Sequence, residues 1–198
     1  MYKICKTEGS TKRQREIELT LLRLMSERRY EDISVIELCD ASGVPRKAFY
    51  RYFDNKDAAL QGLIDHTLEE YERFTQSMPR TEKPRRLSGD LERFFLFWTK
   101  QRELLTAIDR NNLFVNLMNS SLRFPINDIT SMRKFLPDDS EWMRSQVFSF
   151  AICGLMFIML EWFRRDFHES VHDMAKMACR TLSTPLFPVL KEVGILNE

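Results

Sequence analysis

The sequence predicts an all-α protein, and three observations carry that reading. Glycine and proline number only 6 and 7 in 198 residues, too few for the closely spaced turns of a β sandwich. Apolar residues recur at helical intervals along most of the chain. Hydrophobic residues make up 43% of it, with 15 phenylalanines and 10 methionines, so 30% charged residues do not signal disorder.

Taken in order, Ile17, Leu21, Leu24 and Met25 mark one face of a first helix over about 12–29, with Thr11 and Gln14 spaced as a capping box. A second helix, 35–42, has clearer ends. Ser34 and Glu37 have capping-box spacing, Ile33 and Leu38 stand where a hydrophobic staple sits, and Gly43 supplies a left-handed stop. Pro45, with its fixed φ, opens a third helix over about 45–52 after a tight turn. Asp54 or Asn55 caps a fourth, whose stripe of Leu60, Leu63, Ile64, Thr67, Tyr71 and Phe74 runs to Met78.

The polar stretch 79–90 contains two prolines and reads as a hinge. The expected division is a tail at 1–10, a unit at 11–57, a connecting helix at 58–78 and a second domain at 79–198. Within that domain Leu91, Phe94, Phe95, Trp98, Leu105 and Ile108 mark a fifth helix, and Leu113 to Leu122 a sixth that Pro125 limits. Pro137 and Asp138–Asp139 open a long helix to Arg165. Ser170 caps the last, striped by Val171, Met174, Ala175, Ala178 and Leu182 and stopped near Pro185.

Several function classes fall away. The four cysteines, at 5, 39, 153 and 179, lack zinc spacing and suggest reduced thiols in a cytoplasmic protein. The apolar run Val147 to Leu160 is shorter than the roughly 20 residues of a bilayer span, so no membrane partner is expected. No phosphate loop or nucleophile elbow occurs, and no enzyme and no cofactor are expected. His168 and His172 are spaced i, i+4, but the Ser170 cap between them breaks the helix a metal site needs; His66 lies off its apolar stripe and is expected in solvent.

Residues 11–57 have helix-turn-helix order, in which the last helix enters the major groove of duplex DNA. With Phe49 inward, a step of about 100° per residue turns Lys47 and Arg51 outward and flanks them with Ala48 and Tyr50. Arg46 stands in the first turn. Lys56 opens the fourth helix, where backbone amides favour a phosphate, and Ser34 reaches one from its cap. Residues 44–56 carry a local charge of +3 in a chain whose net charge is +1. By the same angular step Tyr52 lies roughly 60° from the inward direction, between core and phosphate roles.

The run Ser34-Val35, Leu38-Cys39, Gly43-Val44, Phe49-Tyr50, Phe53 and Lys56 resembles the tetracycline-repressor (TetR) family of bacterial regulators. The resemblance covers the first quarter of the chain. It departs at Cys39, usually alanine, and at Pro45, usually polar. It implies base reading by Arg46, Lys47 and Ala48, and phosphate contacts from Ser34, Tyr50, Tyr52 and Lys56. It also implies a ligand-responsive repressor that binds a palindromic operator as a homodimer.

The segment from Val147 to Leu160 is apolar on every side and demands cover from a second copy. Phe150 and Met159, with Met174, Met177, Ala178 and Leu182 of the final helix, are the expected interface. An effector cavity is expected among Phe94, Phe95, Trp98, Phe114, Met118, Met156 and Phe157, with Asn112, Asn116 or Asn119 as a polar contact. Ordinary core packing accounts for the same aromatics. Control by a protein partner, or helical binding without a DNA function, are the other readings of this chain.

Overall fold

The computed structural model describes residues 1–5, 7–78, 87–123 and 141–183. Among these the chain is helical: α1 Glu8–Glu27, a 3-10 turn Tyr30–Asp32, α2 Val35–Ser42, α3 Arg46–Phe49, α4 Lys56–Ser77, α5 Leu87–Thr99, α6 Arg102–Arg110, α7 Phe114–Arg123, α8 Glu141–Arg164 and α9 Val171–Ser183. The expected signals at Pro125, Pro137, Asp138–Asp139 and Pro185, and positions 79–86 of the expected hinge, lie outside the described residues.

Local chemistry sets most helix ends. Gly43 has φ 65° and closes α2, with Val44 N–H donating to the Cys39 carbonyl at 3.0 Å. Ser34 caps α2 by accepting from the Glu37 amide, and Ile33 and Leu38 are both buried. The capping box is only half formed, because the Glu37 carboxylate pairs with Arg28 at 2.5 Å. Asn55 caps α4 through the Ala58 amide, and Ser170 caps α9 through the Asp173 amide.

Two boundaries differ from expectation. α1 begins a turn earlier, because Thr7 accepts from the Ser10 amide; Thr11 and Gln14 are then inside the helix. The fifth expected helix is two, since the Lys100 and Gln101 amides turn back to the Phe97 and Trp98 carbonyls before α6 starts. Helical periodicity survives such a break when both pieces face one core. Leu87 to Asp90, expected in the hinge, belong to α5.

α1 packs on α2 and α4, α4 continues to α5 and α7, and α9 lies along α5. The core runs unbroken from Ile17 and Phe49 to Trp98 and Met159. The α1–α4 contact contains a fully buried carboxylate, Glu18, held by Arg15 at 3.2 Å and His66 Nδ1 at 2.8 Å. A Cβ at Gly62 would lie 2.7 Å from Glu18 Oε1 and 3.2 Å from the Phe53 ring, so any side chain there has to displace the Glu18 carboxylate. His66 is thus half-buried, contrary to expectation: its helix face meets α1. The hydrogen bond to Glu18 raises its pKa against the opposing effect of burial.

A second attachment joins the two halves. Asn111, at the end of α6, accepts from the Tyr30 amide at 2.5 Å and donates to the Met25 carbonyl at 3.3 Å, while Arg110 donates to the Ser26 carbonyl at 2.7 Å.

Candidate nucleic-acid interface

α2 and α3 form the helix-turn-helix. Phe49 and Phe53 are fully buried, ring centroids 5.4 Å apart, and fix which way α3 faces. The chain continues past α3 in tight turns, with the Arg51, Tyr52 and Phe53 amides donating to the carbonyls of Ala48, Phe49 and Phe49. On the outer side Arg46, Lys47, Tyr50 and Arg51 are exposed and Ala48 half-exposed. Ser34 is exposed at the head of α2. All six are at least partly open to solvent, as side chains that meet a DNA groove must be.

Tyr52 is half-buried against the core, and its carbonyl accepts from the Lys3 amide at 2.9 Å. Lys56 has a different role from the one its position suggests. Its ammonium donates to the Tyr30 carbonyl at 2.5 Å, to Ile33 at 2.7 Å and to Glu31 at 3.3 Å, and lies 4.2 Å from the Tyr30 ring centroid. Desolvation lowers its pKa. With all three donors engaged, it clamps the 3-10 turn, and the free amides of α4 are what remain for an anion at that helix end. Tyr30 completes the clamp by donating its hydroxyl to Asp57 at 2.5 Å. We expect Lys56→Met to lower unfolding free energy by roughly 1–3 kcal/mol, the range for charge-assisted hydrogen bonds. The salt dependence of DNA binding should change little; a markedly shallower slope would return Lys56 to the phosphate set.

Sequence reasoning missed Tyr30 and Asn111 because their partners come from distant segments. Glu18 was legible: Gln14, Ile17, Glu18 and Leu21 share one helical stripe, so a carboxylate stood among core positions.

Farther along the chain, Phe94, Phe95, Trp98 and Met156 are buried, whereas Phe114 and Met118 are partly covered. Phe95 packs edge-on against Trp162 at 5.4 Å, and Phe94 against Trp98 at 6.3 Å. Asn112 and Asn116 are exposed, not turned inward; Asn112 takes φ 56° in the turn that starts α7. Phe157 is 56% exposed, turned about 100° around α8 from the buried Met156. The expected interface residues divide in the same way: Met159, Met174 and Ala178 are covered by their own chain, while Phe150, Met177 and Leu182 are exposed. Helical phase explains the division, because α8 is apolar all round and composition alone does not choose its inner face. The apolar stretch also proves longer than the run read from sequence: Ser145–Arg164 is long and apolar enough to cross a membrane.

The order of α1 to α3 and the basic outer face of α3 define a helix-turn-helix protein of the DNA-binding class. Residues 20–62 match the model for bacterial regulatory proteins of the tetR family. The HTH-type transcriptional regulator EthR of Mycolicibacterium smegmatis is 32% identical over 87 residues, 42% of this chain and 40% of that relative, so the aligned region spans less than half of each. Among solved structures, the fatty acid degradation regulator FadR from Bacillus halodurans superposes with TM-score 0.61 at 15% identity, covering 92% of this chain and 98% of that one. A TetR transcriptional regulator from Streptococcus agalactiae gives 0.60 at 15% identity, covering 89% and 96%. The helix-turn-helix half of the chain is thus similar to that of tetR-family transcriptional regulators, and the likeness of the whole chain to the solved structures is one of fold.

Proposed function

We propose that this protein is a cytoplasmic, ligand-responsive repressor that binds a palindromic DNA operator as a homodimer. Residues 11–57 bind DNA, 58–78 connect, and 79–198 dimerise and hold an effector. The observation that carries the DNA reading is the outward row of Arg46, Lys47, Tyr50 and Arg51 over the buried Phe49 and Phe53. Arg46 and Lys47 suit guanine O6 and N7, and the small Ala48 allows close approach to a thymine methyl.

Dimerisation is supported by a continuous exposed stripe on α8: Val147, Phe150, Gly154 and Phe157, spaced by three and four residues. Among the described residues nothing lies within 4 Å of a Cβ built at Gly154, which leaves room for a second helix to approach there. Met177 and Leu182 of α9 are exposed as well. The other side of α8, with Met156, Met159 and Trp162, is buried in its own chain, which supports a soluble helix over a membrane span.

An effector site is supported by Trp98. Its side chain is buried among aromatic rings, yet its Nε1 has no hydrogen-bond partner among the described residues, an expense that a ligand acceptor would remove. α4 provides the connection to DNA. Tyr71 and Phe74 at its far end pack on Phe97 at 5.2 and 5.6 Å, while its first turn carries Lys56.

The test is selection of bound sequences from random duplex DNA, followed by titration of the preferred site against salt. About six phosphate contacts per dimer give a slope of log affinity against log salt near −5. Lys47→Ala is expected to relax preference at specific base positions by about 1–3 kcal/mol. Unchanged preference would remove Lys47 from the base-reading set, and failure to select any sequence would overturn the reading.

A further inference from the structure

A cavity of about 330 Å³ opens on the DNA-binding half, between the first residues of the chain, α1 and α4. Tyr2 lines it from the extended N-terminal segment, which is fastened by a backbone bridge from Tyr2 to Phe53. Gln14 and Arg15 line it from α1, and His66, Glu69, Glu70 and Arg73 from α4. The volume is that of a small-molecule pocket.

Gln14 is 1% exposed, and its amide Nε2 has no hydrogen-bond partner among the described residues. A buried donor left open in this way calls for an acceptor. The charged lining is nearly self-balanced. Arg15 is committed to Glu18 and to Glu70 at 2.8 Å, and His66 to Glu18. Arg73 reaches Glu69 only at 3.8 Å, beyond hydrogen-bond range, and both side chains are substantially exposed. This loose pair is the one a ligand exchanges most cheaply. An anion alone would take Arg73 and leave Glu69 and Glu70 facing it. A cation alone would take the carboxylates and be opposed by the guanidiniums. A molecule carrying both charges meets both sets.

We propose that this cavity binds a small zwitterion of the α-amino acid class, its carboxylate toward the Gln14 amide and Arg73 and its ammonium toward Glu69 and Glu70. Because α1 and α4 form the two walls, occupancy fixes their relative position within the DNA-binding half, at a site separate from the aromatic core around Trp98.

The experiment is thermal unfolding of the full chain with each of the standard amino acids at 10 mM, and with acetate and ethylamine as single-charge controls. A ligand with a millimolar dissociation constant should raise the melting temperature by about 3 °C or more. The same amino acid with its amine acetylated or its carboxylate amidated should give less than a third of that shift. Arg73→Ala, at an exposed position that leaves folding intact, should weaken the calorimetric affinity at least about tenfold, as should Gln14→Leu where that variant folds. No shift with any amino acid, equal shifts from singly charged derivatives, or affinity unaltered in Arg73→Ala would each overturn the proposal. None of these readouts involves DNA, so the regulator reading stands or falls separately.

Discussion

In the proposed homodimer, replacing Phe150 and Phe157 together by glutamate is expected to leave a monomer at micromolar concentration. The two rings are 70% and 56% exposed in the isolated chain, so the substitutions leave the subunit's own core untouched. In an assembled interface each glutamate would be buried without a partner, at a cost of several kcal/mol, which raises the dimer dissociation constant by about 10³-fold or more. Sedimentation reads the change directly, and unaltered circular dichroism with cooperative melting confirms that the subunit stays folded. A single half-site contact then replaces two linked ones, and operator affinity should fall by about 10²–10⁴-fold. If the doubly substituted protein still sediments as a dimer, the α8 face is not the interface.

Phe49→Ala is expected to destabilise the helix-turn-helix by roughly 3–5 kcal/mol, the range for removing a fully buried aromatic ring. α3 is only four residues long and makes no side-chain cap, so it has no independent reason to be helical. Its orientation rests on this ring against Phe53. Denaturant titration should show the loss of stability, and DNA binding should disappear at temperatures where the chain remains largely helical. Full operator affinity in Phe49→Ala would mean that α3 is held by contacts other than its buried ring.

What the sequence disclosed follows the range of the interaction. Ser34, Gly43 and the Phe49 phase act within a few residues, and their roles in α2 and α3 could be read before any fold was known. The two-helix break at Lys100 could not, because Trp98 and Leu104 keep facing one core across it. Lys56 shows the limit most clearly. Its place at a helix start suggested a phosphate ligand, but its charge meets carbonyls of Tyr30, Glu31 and Ile33, brought there by the packing of α1 and α2. Phe157 and Asn116 failed for a related reason: hydrophobicity marks Phe157 as wanting cover and polarity marks Asn116 as wanting a partner, but neither states whether that is the same chain, a second copy or water.

The attachment of Arg110 and Asn111 to the end of α1 changes the mechanics of the whole molecule. A body fixed at a single pivot swings in any direction, while one pinned at two points turns only about the line between the pins. Here the pins are the body of α4 and the end of α6. In the proposed ligand response, a push at Tyr71 or Phe74 would favour rotation about that line and carry α3 along an arc. The strength of the push decides how far it goes; the position of the second pin decides where.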